Sequence, residues 1–126
     1  MSGQTARLMR QPTIYHNPRC TKSRATLDLL VARGFSPRVI EYLSSPPSAA
    51  EVERLLAMLG LEPRELMRKD EDEYRALGLA DPGLTHDQLV AALAANPRLL
   101  QRPIVVVGNK AAIGRPPEAV LAILPD

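Results

Sequence analysis

Cys20 is the only cysteine in a chain of 126 residues. A lone thiol excludes an intrachain disulfide, and with only His16 and His86 to help, a zinc site lacks enough soft ligands. If Cys20 does chemistry, it does so as a single nucleophilic or redox thiol. Its position favours that use. It follows a strand-like run and the Asn17-Pro18 turn and stands at the expected first turn of a helix, where unpaired backbone N–H groups and the helix dipole favour an anion. Such placement lowers a thiol pKa from about 8.5 toward about 3.5–7.5. Arg19, Lys22 and Arg24 add positive charge close by. The same place would also suit a small buried hydrophobe, the common fate of a lone Cys.

Three further features bear on this thiol. Ser23 completes a C-x-x-S pattern, and one helical turn on, its hydroxyl can donate to the Cys20 sulfur. His16 lies four positions before Cys20 with Pro18 between them, so it can lie across the turn and act electrostatically on a thiolate. The basic residues are lopsided in kind: 13 of 16 are Arg, the planar fork that suits oxyanions. A thiol acting on a small oxyanion needs such clamps, and three arginines occupy meaningful places. Arg102 precedes Pro103, where an X-Pro bond can be cis and hold the chain rigidly beside another loop. Arg115 precedes Pro116 at the mouth of the last helix, and Arg68 is expected to end a short helix. His86, just after a helix cap, is expected to be solvated.

The elements that must position these residues follow from period and punctuation. Thr13–His16 reads as a strand, and Cys20 to about Arg33 as a helix, with Leu27, Leu30 and Val31 at helical spacing and Gly34 at its C-cap. Arg38–Leu43 is the second strand, stopped by Ser44-Ser45-Pro46-Pro47, so the opening third is a βαβ unit with a parallel crossover. Ser48 and Glu51 form a capping box for a helix through Leu59 closed by Gly60. Short helices are expected at Arg64–Arg68 and Asp72–Leu77, and Thr85 with Gln88 caps another running to Ala95. Residues 48 to about 100 thus form a helical insertion. Ile104–Val107, a type II′ Gly108-Asn109 turn and Lys110–Ile113 form a hairpin, and Pro116-Pro117 opens a last helix through Leu124. The expected class is α/β, a mixed four-stranded sheet with helices inserted between its second and third strands.

Length and composition limit what this framework can be. The chain suits one domain, residues 13–126, preceded by a flexible tail at 1–12. Hydrophobic content of 45% and charged content of 24% describe a soluble globular protein. No apolar run approaches the roughly 18 residues of a membrane span, and the N-terminus has no apolar segment of a secretory signal, so the chain is expected in the cytoplasm without membrane attachment. A net charge of +2, with interspersed signs and 3% aromatics, offers neither a basic stripe nor a stacking platform for nucleic acid.

The separated segments Tyr15-His16-Asn17-Pro18-Arg19-Cys20-Thr21-Lys22-Ser23-Arg24, Tyr42-Leu43-Ser44-Ser45-Pro46-Pro47, Leu66-Met67-Arg68-Lys69, Arg102-Pro103-Ile104-Val105-Val106 and Gly114-Arg115-Pro116-Pro117-Glu118 together resemble the glutaredoxin-coupled arsenate reductase family. The resemblance spans Thr13 to Leu124 and implies a thioredoxin-like (glutaredoxin-like) fold. It implies that Cys20 is the nucleophile that forms a covalent ester with arsenate, that His16 helps keep it ionised, and that Ser23 is its catalytic neighbour. Arg68, Arg102 and Arg115 would bind arsenate and arsenite oxygens. Glutathione, as cosubstrate, and glutaredoxin, as partner, would supply the thiols that one cysteine lacks. No metal or bound organic cofactor is implied, and a monomer is the expectation. Ending at Asp126, the chain resembles the short chromosomal-type members and not the plasmid-borne ones with a C-terminal extension. Two alternatives remain: an Spx-like regulator or binding module, in which Ser23 in place of a second Cys forbids an intramolecular disulfide switch, or another glutathione-dependent thiol oxidoreductase.

Overall fold

The strand expected at Thr13–His16 forms with those bounds (β1). The computed structural model describes residues 11–125. Helix α1 spans Thr21–Ala32 and strand β2 Arg38–Glu41, and β1 and β2 run parallel in register from Thr13↔Arg38 to His16↔Glu41. β2 stops short of the expected Leu43 because its partner strand ends at His16. Strands β3 (Ile104–Val107) and β4 (Lys110–Ile113) form the expected hairpin. Gly108 takes φ +61° and the following Asn109 is not among residues of positive φ, the combination that a type II′ turn requires. β3 also pairs antiparallel with β1, giving the order β2-β1-β3-β4. This mixed sheet, with α1 crossing between β1 and β2, is the thioredoxin-like fold.

The chain divides into two compact units, one made of the described residues up to Glu41 with Arg102 onward, the other of Tyr42–Gln101. In the sheet unit, Ile14, Leu30, Val105, Val107 and Val120 form the core, with Leu27, Phe35, Ala112 and Ile123 packed on it. The apolar residues whose spacing marks α1 do not all face this core. Val31 is 57% exposed, and the inward face of α1 is Ser23, Thr26 and Leu30. Two polar residues carry most of that stripe, so apolar periodicity misjudges its direction. The last helix is a 3₁₀ helix, Pro117–Ile123, whose three-residue repeat brings Val120 and Ile123 to the same side.

The other unit is helical. Ser48 caps α2 (Ala49–Leu59) by accepting from the Glu51 N–H at 3.1 Å, and Gly60 ends it at φ +68°. A 3₁₀ turn at Pro63–Leu66 precedes α3 (Asp72–Ala76). The Thr85–Gln88 capping box opens α4 (His86–Ala95), and a 3₁₀ turn follows at Pro97–Leu99. Val52, Leu55, Leu66, Leu93 and Leu99 are fully buried. Helices therefore lie between the second and third strands, as the expected fold class has them. Arg68, however, does not end a helix. The 3₁₀ turn stops at Leu66, Met67 becomes extended and bridges Leu100, and the Arg68 N–H donates to the Leu99 carbonyl at 2.6 Å. Pairing with a distant segment overrides the local helical signal there.

Of the tail expected at 1–12, residues 1–10 lie outside the described residues. Gln11 donates to the Ser36 carbonyl at 2.6 Å, and the Pro12 carbonyl accepts from Arg38 at 2.8 Å.

Candidate active site

The sheet dictates which loops meet Cys20. β1 ends at His16, and because Tyr15 pairs with Ile104, the residues just before β3 lie beside the loop that leaves β1. Ile104 in turn pairs with Ile113, so Gly114 and Arg115 lie beside Pro103 and Arg102. The Gly114 N–H donates to the Pro103 carbonyl at 2.9 Å, and Arg115 Nε donates to the Arg102 carbonyl at 2.8 Å. Both Arg102-Pro103 and Arg115-Pro116 are cis, including the bond singled out in the sequence.

The Cys20 loop is shaped by its own residues. Asn17 Oδ1 accepts from the Arg19 N–H at 3.0 Å, and the Asn17 carbonyl accepts from the Cys20 N–H at 3.0 Å. Cys20 becomes the N-cap of α1 and its carbonyl accepts from Arg24 at 3.0 Å. The thiol is half-buried. Burial by itself raises its pKa, yet the pKa falls below the ordinary thiol value. Backbone N–H groups of Ser23 and Lys22 favour the thiolate, as do the charge of Arg102 and a hydrogen bond from its side chain.

Ser23 and His16 are brought together, though not in the arrangement expected. Ser23 is fully buried, and its Oγ lies 2.6 Å from His16 Nδ1 and accepts from the Asn17 N–H at 3.0 Å. The hydroxyl is thus engaged with the loop and not with the sulfur; it is the Ser23 backbone N–H that favours the thiolate. His16 is buried, and burial lowers its pKa, with Arg24 acting the same way against opposing pulls from Glu41 and Asp28. A histidine so placed is neutral at pH 7 and supplies no net charge to a thiolate. Its contact with Ser23 instead ties the end of β1 to α1 on either side of the Cys20 loop.

Among the described residues neither Arg102 nor Arg115 forms an ion pair, and Arg102 Nε is buried without a hydrogen-bond partner. A buried donor left unpaired costs about 1–3 kcal/mol, so this N–H favours an acceptor oxygen. Sequence reasoning missed Gly114. A Cβ there would lie 2.5 Å from Thr26 Oγ1 and 2.8 Å from Pro103 Cγ, so only glycine allows α1, the Pro103 loop and Arg115 to approach this closely. Nothing about an isolated Gly after a strand signals such a contact. Arg68 belongs to the helical unit, where its side chain pairs with Glu71. His86, expected to be solvated, is half exposed and lies 2.6 Å from Glu53.

A family model described as the ArsC family matches residues 15–123. The chain belongs to the ArsC family. Its similarity to other members extends over most of its length. It is 48% identical over 112 residues to a protein of Neisseria meningitidis serogroup A named arsenate reductase, covering 88% of this chain and 96% of the relative. It is 52% identical over 118 residues to the uncharacterized protein YfgD of Escherichia coli K12, covering 93% and 99%. The solved structure of an arsenate reductase from Vibrio cholerae superposes with a TM-score of 0.89 at 51% identity, covering 91% of this ArsC-family chain and 98% of that one.

Proposed function

We propose that this ArsC-family protein is a glutathione- and glutaredoxin-dependent arsenate reductase that works through a covalent intermediate on Cys20. The observation that carries the reading is the Cys20 thiol at a helix N-cap, its pKa lowered by backbone N–H groups and by an Arg102 that has no carboxylate partner among the described residues. The names of the relatives from Neisseria and Vibrio support arsenate as the oxyanion.

The thiolate attacks arsenic, forming an S–As bond while one oxygen leaves and, with protons taken up, becomes water. Arsenate is mostly dianionic at neutral pH, so its approach to a thiolate needs positive charge held in place beforehand. Arg102 and Arg115 supply it at the Cys20 end of the sheet, and Arg68 is assigned the same role on family resemblance. Reduction from arsenic(V) to arsenic(III) takes two electrons. Cys20 is the sole cysteine, so a second thiol comes from outside: glutathione attacks, the two sulfurs end as a disulfide, and arsenite leaves. Glutaredoxin then reduces the Cys20–glutathione disulfide and returns the thiolate. His16 and Ser23 act as positioning residues that hold the Cys20 loop. The chain acts as a monomer and needs no bound metal or organic cofactor. Dependence on reduced glutathione fits a cytoplasmic location, where thiols are kept reduced.

The test is arsenate-dependent NADPH oxidation coupled through glutathione, glutaredoxin and glutathione reductase. Wild type is expected to turn over only with arsenate present, and Cys20→Ser to fall to background. Full activity of Cys20→Ser would remove the mechanism. An inactive wild type whose Cys20 still titrates below an ordinary thiol would point to a different oxidised substrate.

A further inference from the structure

In the helical unit, Arg68 does not stand alone. Its Nη1 donates to Glu71 Oε1, and the two side chains are 18% and 17% exposed. The other carboxylate oxygen, Glu71 Oε2, accepts from Arg98 Nη2 at 3.3 Å, and Arg98 Nη1 lies 3.5 Å from Glu73 Oε1. Below the side chains the main chain is fixed. Arg68 N–H donates to the Leu99 carbonyl, Gln101 Nε2 donates to the Met67 carbonyl at 3.0 Å, and the Glu71 N–H returns to the Arg68 carbonyl at 3.2 Å.

This arrangement acts on Arg68 in two opposing ways. A guanidinium carries five N–H donors in one plane, so an acceptor that fixes the Nη1 edge also fixes the direction of the remaining donors. The same acceptor is a negative charge, and it repels any oxyanion that comes to those donors. Arg98 offsets that charge only in part, because at 64% exposure it is screened by water.

We infer that Glu71 is a positioning residue that sets how tightly Arg68 holds the oxyanion, its hydrogen bond orienting the fork and its charge loosening the grip. This deepens the role given to Arg68 in the proposed function and rests on it. Glu71→Gln keeps an acceptor oxygen and removes the charge, whereas Glu71→Ala removes both.

The experiment measures how much arsenate, without glutathione or glutaredoxin, half-protects Cys20 from alkylation by iodoacetamide. Glu71→Gln is expected to lower that concentration by roughly fourfold, the factor for two unit charges about 5 Å apart in water-like surroundings. Glu71→Ala is expected to raise it, and so is Arg68→Ala. A merely structural Glu71 would make the Gln and Ala variants move in the same direction. With Arg68→Ala weakened, Glu71→Gln at or above wild type, or Glu71→Ala at or below it, overturns the role of Glu71 and leaves that of Arg68. Arg68→Ala protected as well as wild type overturns the assignment of Arg68, and the role of Glu71 falls with it.

Discussion

The two units treat their arginines differently. In the sheet unit, Arg102 acts on the Cys20 thiol and Arg115 donates to the Arg102 carbonyl, with no carboxylate paired to either among the described residues, and a buried guanidinium N–H is left without a partner. In the helical unit, Arg68 and Arg98 share Glu71, and Arg98 reaches Glu73 as well. The first arrangement leaves positive charge uncompensated beside the Cys20 thiol, where the proposed function needs an oxyanion to approach. The second neutralises its charge internally. The same residue type is therefore left free of carboxylates in one place and paired with them in the other.

That contrast can be broken at several points. The largest effect is expected at Gly114, where an added Cβ meets Thr26 and Pro103. Gly114→Ala should destabilise the protein by about 1–3 kcal/mol in urea unfolding, as overpacking does, and should slow alkylation of Cys20. An unchanged midpoint would mean that α1 and the Pro103 loop can separate without loss.

Next is Arg115→Lys. If uncompensated arginines bind the oxyanion as forks, replacing one by a point charge should raise the half-protecting arsenate concentration by about tenfold while leaving the unfolding midpoint unchanged. Equal protection would show that charge alone is used. Arg102→Gln sharpens the comparison further, because it removes both the charge and the ionic hydrogen bond that favour the thiolate. The pH midpoint of Cys20 alkylation should move up toward the ordinary thiol value. A midpoint that stays put would assign the lowering to the Ser23 and Lys22 N–H groups.

The smallest effect concerns His16. Its folded pKa is lowered from 6.5 chiefly by burial, so the unfolded chain binds the proton more readily. Its contribution to stability is present above about pH 6.5 and is lost as pH falls toward the folded pKa. Wild type should therefore lose more stability than His16→Asn between neutral and mildly acidic pH, read from urea midpoints. Parallel pH profiles would show that the histidine is not held neutral.

Much of the framework was legible from local signals. Ser48 with Glu51 and Thr85 with Gln88 marked two helix starts that formed as expected, because a cap satisfies N–H groups within one turn of chain. The β-branched run Ile104–Val107 and the run Lys110–Ile113 about Gly108-Asn109 likewise marked a hairpin closed by adjacent residues. The candidate nucleophile was legible because an Asn-Pro turn before a helix places the residue at its N-terminus. Less was legible where long-range pairing intervened. Arg68 left its expected helix for a backbone bond to Leu99, and Val31 turned outward because Ser23 and Thr26 lie on the inward face of α1.

By itself the sequence determined which residues are available for chemistry: one thiol, a serine three positions on, and arginines before two prolines. These are properties of composition and short spacing, and they do not depend on how the chain packs. The tertiary structure decided what those residues do to one another. Pairing of β3 between β1 and β4 brings Arg102 and Arg115 to the Cys20 end of the sheet, across more than 80 positions of sequence. It also turned the Ser23 hydroxyl toward His16 and buried that histidine, which keeps it neutral. Electrostatic and hydrogen-bonding energies depend on distance and burial in space, and neither is a function of separation along the chain.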